Sequence, residues 1–113
     1  MYTYKLRPVY GGDDLLLEFV KGPEEDHFLT DLFNLFSPLD FKTTAVSDLW
    51  MNDEVLFHIT SIIGEFTLSK DTWGFAFIMA DKNQEGIKKL NEYLLQSEKF
   101  EALSVDFSQY KKN

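Results

Sequence analysis

His27 and His58 are the only side chains in this 113-residue sequence whose ordinary pKa suits proton transfer near neutrality. His27 precedes Asp31 by four residues, so on a helix the two point the same way. Two ligands at that spacing begin a metal site, but zinc usually needs three, and a solvated histidine beside a carboxylate is the simpler reading. His58 shares a strand face with Leu56 and Thr60, alternating with Val55, Phe57 and Ile59. It becomes a general base only where a carboxylate and a concave pocket converge on it; otherwise it reads as a half-buried ring whose nitrogens are satisfied by neighbours. The serines show no Gly-x-Ser-x-Gly elbow, and the six glycines are too scattered for a phosphate loop or a dinucleotide fingerprint. With no cysteine, thiolate chemistry, disulfides and thiolate zinc sites are excluded. Carboxylates stand together at Asp13-Asp14, Glu24-Glu25-Asp26 and Asp53-Glu54, the raw material for acid–base or magnesium work. Neighbours on a strand point to opposite faces, though, and acids beside turns are usually solvated. The expectation is a protein without catalytic residues, cofactor or metal.

Charge is the asymmetric feature. The chain holds 19 acidic and 11 basic side chains, for a net charge of −8. From Gly11 to Glu54 the acids are Asp13, Asp14, Glu18, Glu24, Glu25, Asp26, Asp31, Asp40, Asp48, Asp53 and Glu54, against Lys21 and Lys42 alone. Such a balance is unsuited to gripping a phosphate backbone, which needs clustered Lys and Arg. If the first helix and the Asp48–Glu54 turn lie close together, the molecule has a negative face that speeds encounter with a basic partner. The plainer alternative is a solubilising surface. The candidate partner-binding residues are Asp13, Asp14, Glu24, Glu25, Asp26, Asp48, Asp53 and Glu54, with Trp50 as an aromatic anchor among them. Trp73 reads instead as a cap on one end of the core, its indole N–H facing water or a carbonyl.

The elements that must position these groups are legible from periodicity. Thr3–Tyr10 and Leu15–Val20 flank the turn Gly11-Gly12-Asp13-Asp14, which reads as a β-hairpin with Pro8 at an edge. Pro23 and the acids after it open a helix over Glu24–Phe36, with Phe28, Leu29, Leu32, Phe33, Leu35 and Phe36 as its apolar stripe and Ser37-Pro38 as its stop. Phe41–Val46 favours a strand, which Leu49-Trp50-Met51 extends after a bulge at Ser47-Asp48. Val55–Thr60, Glu65–Ser69 and Phe75–Ala80 continue an antiparallel meander, the last of them apolar on both faces and so expected to be covered on both. A second helix follows Asp81-Lys82-Asn83, burying Ile87, Leu90 and Leu94, with Leu95 a further candidate for the stripe. Leu103–Ser108 alternates as a final strand, and Tyr110–Asn113 reads as a frayed tail. The expectation is one α+β domain over residues 1–113: a single antiparallel sheet of about five to seven strands with two helices packed on it, in the order β-β-α-β-β-β-β-α-β.

A small, cysteine-free, acidic, aromatic-rich α+β chain without catalytic groups resembles the bacterial immunity proteins, which neutralise polymorphic or contact-dependent growth-inhibition toxins, many of them basic nucleases. The resemblance is one of size, charge and missing chemistry over the whole chain and rests on no motif. It implies a tight one-to-one complex in which carboxylates occupy the toxin's nucleic-acid groove or an adjacent exosite. The leading expectation is thus a non-enzymatic inhibitor of a basic protein, with no direct contact to nucleic acid or membrane, present as a monomer or small homo-oligomer. The alternatives are a small-ligand or self-associating module built on the aromatic-rich sheet, and a His58-dependent enzyme. The amino terminus lacks the apolar run of a secretory signal, and Phe75–Ala80 is far short of the ~20 residues that span a bilayer, so a cytoplasmic location is expected.

Overall fold

The alternation over the first twenty residues folds as a hairpin of β1 (Tyr2–Pro8) and β2 (Leu15–Lys21) in the computed structural model, which describes residues 1–110. Tyr2, Tyr4, Leu17 and Phe19 point to one face and are buried there. The chain then forms α1 (Phe28–Leu35), the meander β3 (Lys42–Leu49), β4 (Glu54–Ser61), β5 (Gly64–Asp71) and β6 (Ala76–Met79), α2 (Gln84–Gln96) and β7 (Phe100–Ala102). One seven-stranded sheet runs in the order β3-β4-β5-β6-β2-β1-β7. Class and element order are as the sequence implies, with one difference: β7 lies parallel to β1, so the sheet is mixed.

Both helices pack on the same face. In α1, Phe28 and Leu32 are buried at i, i+4 spacing and Phe36 continues the row beyond the helix end. In α2, Ile87, Leu90 and Leu94 form the stripe, while Leu95, one position round the helix from Leu94, is exposed. The start of α2 is fixed by Asn83, whose Oδ1 accepts from the Gly86 N–H at 3.2 Å while its Nδ2 donates to the Ile63 carbonyl at 2.9 Å, tying the helix to the β4–β5 turn. Aromatic rings fill the layer between helices and sheet: Phe28 meets Tyr2 and Phe19 edge-on at 5.4 and 5.3 Å, and Phe41 stacks against Phe33, Phe36 and Phe66. Tyr4 is fully buried, and its hydroxyl donates to Asn91 Oδ1 of α2 at 2.7 Å.

Several boundaries differ from expectation for physical reasons. The helix expected from Glu24 begins only at Phe28, because Gly22 to His27 is spent on turns, with Glu25 N–H donating to Gly22 O and Phe28 N–H to Glu25 O. Glu24, Glu25 and Asp26 therefore precede the helix. Strand β3 is continuous through Ser47-Asp48, and its irregularity lies between Thr43 and Ala45. The last strand is Phe100–Ala102, not Leu103–Ser108, since pairing Tyr2 with Phe100 brings the Phe100 ring within 5.0 Å of Tyr2 and 6.0 Å of Phe19. Strand β6 is the fourth of seven, as expected of a central strand. Only Ala76 and Ile78 are buried, however, while Phe77 and Met79 are half-buried on the face that lacks helices.

That second face is closed at one corner by a 3₁₀ turn, Phe107–Tyr110. Tyr110, expected to fray, is buried; its carbonyl accepts from Gly11 N–H at 2.7 Å, and its ring lies 5.0 Å from the Arg7 guanidinium. Arg7 is itself buried, bonded to Glu18 at 2.7 Å and to the Pro8 carbonyl, with Tyr10 and Phe77 also against its guanidinium. The rest of the proposed tail, residues 111–113, lies outside the described residues. Among the described residues no helix is long and apolar enough to cross a membrane.

Candidate functional site

Strand directions decide where the acids go. The β1–β2 and β4–β5 turns fall at one end of the sheet; the β2–α1 connection, the β3–β4 turn and the β5–β6 turn fall at the other. Asp13 and Asp14 are therefore a sheet length away from the remaining candidates, and one negative face joining all eight carboxylates does not form. Glu24, Glu25, Asp26, Asp48, Asp53 and Glu54 do share an end, and Asp71, which the sequence reading passed over, joins them.

Three other acids of the first half are committed elsewhere. Glu18 holds Arg7, and Asp40 sits 3.1 Å from Lys42. Asp31 accepts from Tyr2 Oη at 2.6 Å and from Lys99 Nζ at 3.0 Å. These hydrogen bonds, Tyr2 first, hold the Asp31 carboxyl below its ordinary range, and in return Asp31 and burial push the Tyr2 phenol up to about 12. Asp31 thus pins α1 to β1 instead of pairing with His27 on the helix.

At the acidic end, the local backbone explains why apolar side chains face water. Strands β3 and β4 are joined through a 3₁₀ turn, Trp50–Asn52, that closes on Asp53 in the left-handed region at φ 53°, a conformation Asp tolerates better than most residues. This turn leaves Trp50 74% and Met51 79% exposed. The β5–β6 turn is built by Asp71, whose Oδ1 accepts from the N–H groups of Trp73 at 2.9 Å and Phe75 at 3.1 Å, with Gly74 at φ +90° completing the reversal. Trp73 is consequently 71% exposed and caps nothing, contrary to its reading as a core cap. The two turns are stitched together by Thr72 N–H donating to the Asp53 carbonyl at 3.2 Å. The β2–α1 connection reaches the same place: a Cβ on Gly74 would lie 3.1 Å from Glu24 Oε2.

The result is a strip of seven carboxylates around both tryptophans of the chain, with Lys21 and Lys70 closing β2 and β5 beside them; Lys99, at the same end, is taken up by Asp31. Among the described residues none of these seven takes part in an ion pair. A hollow of about 320 Å³ opens between Leu29 of α1 and the sheet, bounded by Asp48, Trp50, Glu54 and Lys70. The arrangement supplies negative potential, broad aromatic surface and a recess for a side chain.

His58 lies on the helix-free face, half-buried, its Nε2 3.3 Å from Ser47 Oγ. It borders a wide, shallow cleft of about 800 Å³ that also receives Glu54, Glu65, Asp81 and Met79. Carboxylates thus line the cleft that His58 borders, while the side-chain partner of its ring among the described residues is Ser47. Among the described residues, no group of three or more His, Asp or Glu is placed to hold a metal ion.

Aromatic exposure at the β5–β6 turn was the feature that sequence reasoning missed, and a signal for it was present. Asp71, two residues before Trp73 and three before Gly74, is the pattern of a side chain capping its own turn. Comparison with protein-family models, curated proteins and solved structures finds no match for this chain.

Proposed function

We propose that this chain is a non-enzymatic binding protein that neutralises a basic protein partner, and that it serves as an immunity protein for a bacterial toxin domain. The observation that supports this reading is the joining of seven carboxylates, without an ion pair among the described residues, and two outward-facing tryptophans at one end of the sheet. Carboxylates free of internal ion pairs leave their field available to a partner, raising the encounter rate with a basic surface. Tryptophans held in water by tight turns contribute large apolar area once covered, the usual character of an interface anchor. The roles divide accordingly: the acids set association, and Trp50 and Trp73 set dissociation.

The test uses the basic domain recovered with the chain from its native host. Replacing Glu24, Glu25, Asp48 and Asp53 by Lys slows association about 100-fold at low salt and removes its salt sensitivity. Trp50→Ala leaves association unchanged and speeds dissociation about 30-fold. Equal rates for wild type and the fourfold variant refute the reading. The helix-free sheet face favours a second reading, a small-ligand site in the His58 cleft. Chemical shift changes confined to His58, Thr67 and Met79 in a fragment screen would support that reading, and their absence refutes it.

A further inference from the structure

Arg7 is the only arginine of the chain, and it is buried. Its guanidinium lies 5.0 Å from the Tyr110 ring, 5.2 Å from Tyr10 and 5.8 Å from Phe77, so three aromatic rings and Glu18 share one cation. Glu18 and Phe77 belong to strands β2 and β6, and Tyr10 follows β1 directly. Tyr110 alone comes from outside the sheet, and the segment that delivers it has little else to hold it. From Leu103 to Gln109 no side chain is buried, and Val105 alone is half-buried. Among the described residues this segment makes two hydrogen bonds to the rest of the molecule. Leu103 N–H donates to the Tyr4 carbonyl at 2.8 Å where β7 ends, and Gly11 N–H donates to the Tyr110 carbonyl at 2.7 Å. Its other bonds are internal: Gln109 N–H donates to the Asp106 carbonyl, and both Ser108 N–H and Ser108 Oγ donate to Asp106 Oδ1.

The sheet does not depend on this segment. The β1–β2 turn closes without it, Val9 N–H donating to the Asp14 carbonyl and Gly12 N–H to the Val9 carbonyl, and β7 completes its pairing with β1 before the segment begins. Ordering eight residues costs backbone entropy at every one of them, and the return is a single sequestered ring. Segments with so few buried contacts open at a fraction of the free energy of global unfolding.

We infer that residues 103–110 form a latch, which swings as a unit about Leu103 while the sheet and both helices stay folded, and that Tyr110 gates access to Arg7. Closed, the latch seals the guanidinium from water. Open, it leaves Arg7 on Glu18 but bares the side that Tyr110 covered, a cation between Tyr10 and Phe77 on the face that lacks helices. The latch lies at the β1–β2 turn, a sheet length from the acidic turns, and the inference stands whether or not a basic partner exists.

Phenylglyoxal, which reacts with accessible guanidinium groups, tests this on the full chain, because Arg7 is its one arginine target. Labelling read by peptide mass should run about 100-fold slower than in acetyl-arginine amide, whereas a site reached only by global unfolding would run at least about 10⁴-fold slower. The rate should change less than about twofold up to about 1 M urea, where global opening would quicken it at least about fivefold. Tyr110→Ala should raise the rate about 50-fold. Asp106→Ala removes the bonds from Ser108 without touching Arg7 and should raise it about fivefold. Both variants should keep the far-ultraviolet circular dichroism spectrum of the wild type. Labelling of the wild type that waits on global unfolding, or a rate that ignores Tyr110→Ala, overturns the proposal.

Discussion

The field at the acidic end can be measured without any partner, because the only two tryptophans of the chain both lie in it. Their emission is quenched by collision with iodide, an anion, or caesium, a cation, and the local potential sets the concentration of each ion near the rings. Seven carboxylates and two lysines leave a net five negative charges. At a mean separation of about 10 Å each contributes about 0.4 kcal/mol in water, or about 0.15 kcal/mol after screening at about 0.1 M salt. Their sum of about 0.8 kcal/mol enriches caesium about fourfold and depletes iodide about fourfold, so the ratio of their quenching constants departs about fifteenfold from that of a free tryptophan amide. Replacing Glu24, Glu25, Asp48 and Asp53 by Lys turns net five negative charges into net three positive ones and should invert the preference. Stern–Volmer titrations at constant ionic strength read this directly, with acrylamide as the neutral control. A caesium-to-iodide ratio equal to that of the free amide in wild type, or one that ignores the four substitutions, would mean that the carboxylates do not surround the indoles.

The corner closed by Tyr110 gives a stability prediction: Arg7→Met leaves Glu18 without its partner and should cost about 3 kcal/mol, or about 10 °C in Tm, with Glu18→Gln in the same chain recovering part of it. Urea midpoints of the two variants check this, and equal midpoints for wild type and Arg7→Met would contradict it. The Tyr2–Asp31–Lys99 contact predicts the pH profile. Asp31 titrates below its ordinary range in the folded chain, so its contribution is present above that range and lost as pH falls through the folded value. Tyr2 and Tyr4, pushed up to about 12 by the Asp31 contact and by burial respectively, contribute fully below about pH 10 and lose that contribution as pH rises toward 12. Tyr2→Phe should therefore flatten both limbs of the midpoint-against-pH curve, whereas Asp31→Asn should flatten the acid limb and reduce the alkaline one.

What could be read from the sequence was whatever local chemistry decides. The Gly11–Asp14 turn and the alternation on either side specify the first hairpin, and Phe28, Leu32 and Phe36 specify the buried row of α1. The misread boundaries are those set by distant contacts. Residues 103–108 alternate as well as 100–102 do, but only Phe100 can join Tyr2 and Phe19 in one aromatic cluster. Phe75–Ala80 looks doubly covered because Phe77 is apolar. Its neighbour across the helix-free face is Arg7, whose guanidinium tolerates an aromatic ring and open water alike. Trp73 reads as a cap on one end of the core, but the hydrogen bonds that Asp71 accepts from Trp73 N–H and Phe75 N–H build a turn that points it outward.

The grouping of acids followed from a rule of connectivity that needs no coordinates. In a run of hairpins, successive turns alternate between the two ends of the sheet, so turns an even number of strands apart share an end. The β3–β4 and β5–β6 turns obey this, which places Trp50, Asp53, Asp71 and Trp73 together however the strands twist. The β1–β2 turn and the exit from β2 must likewise lie at opposite ends, so Asp13 and Asp14 could never have met Glu24 and Glu25. What connectivity leaves open is whether the β2–α1 connection lies beside the meander's odd turns or its even ones. That choice is made by β6 pairing antiparallel to β2, Leu17 against Ile78 and Phe19 against Ala76. Had β6 run parallel to β2, the same sequence would have carried its acids as two separate patches, Glu24, Glu25 and Asp26 at one end and Asp48, Asp53, Glu54 and Asp71 with Asp13 and Asp14 at the other. The acidic end is thus a consequence of one strand pairing in the buried centre of the sheet, and variants that loosen the contacts of Phe19 or Ile78 should weaken association with the proposed basic partner even though neither side chain reaches the surface.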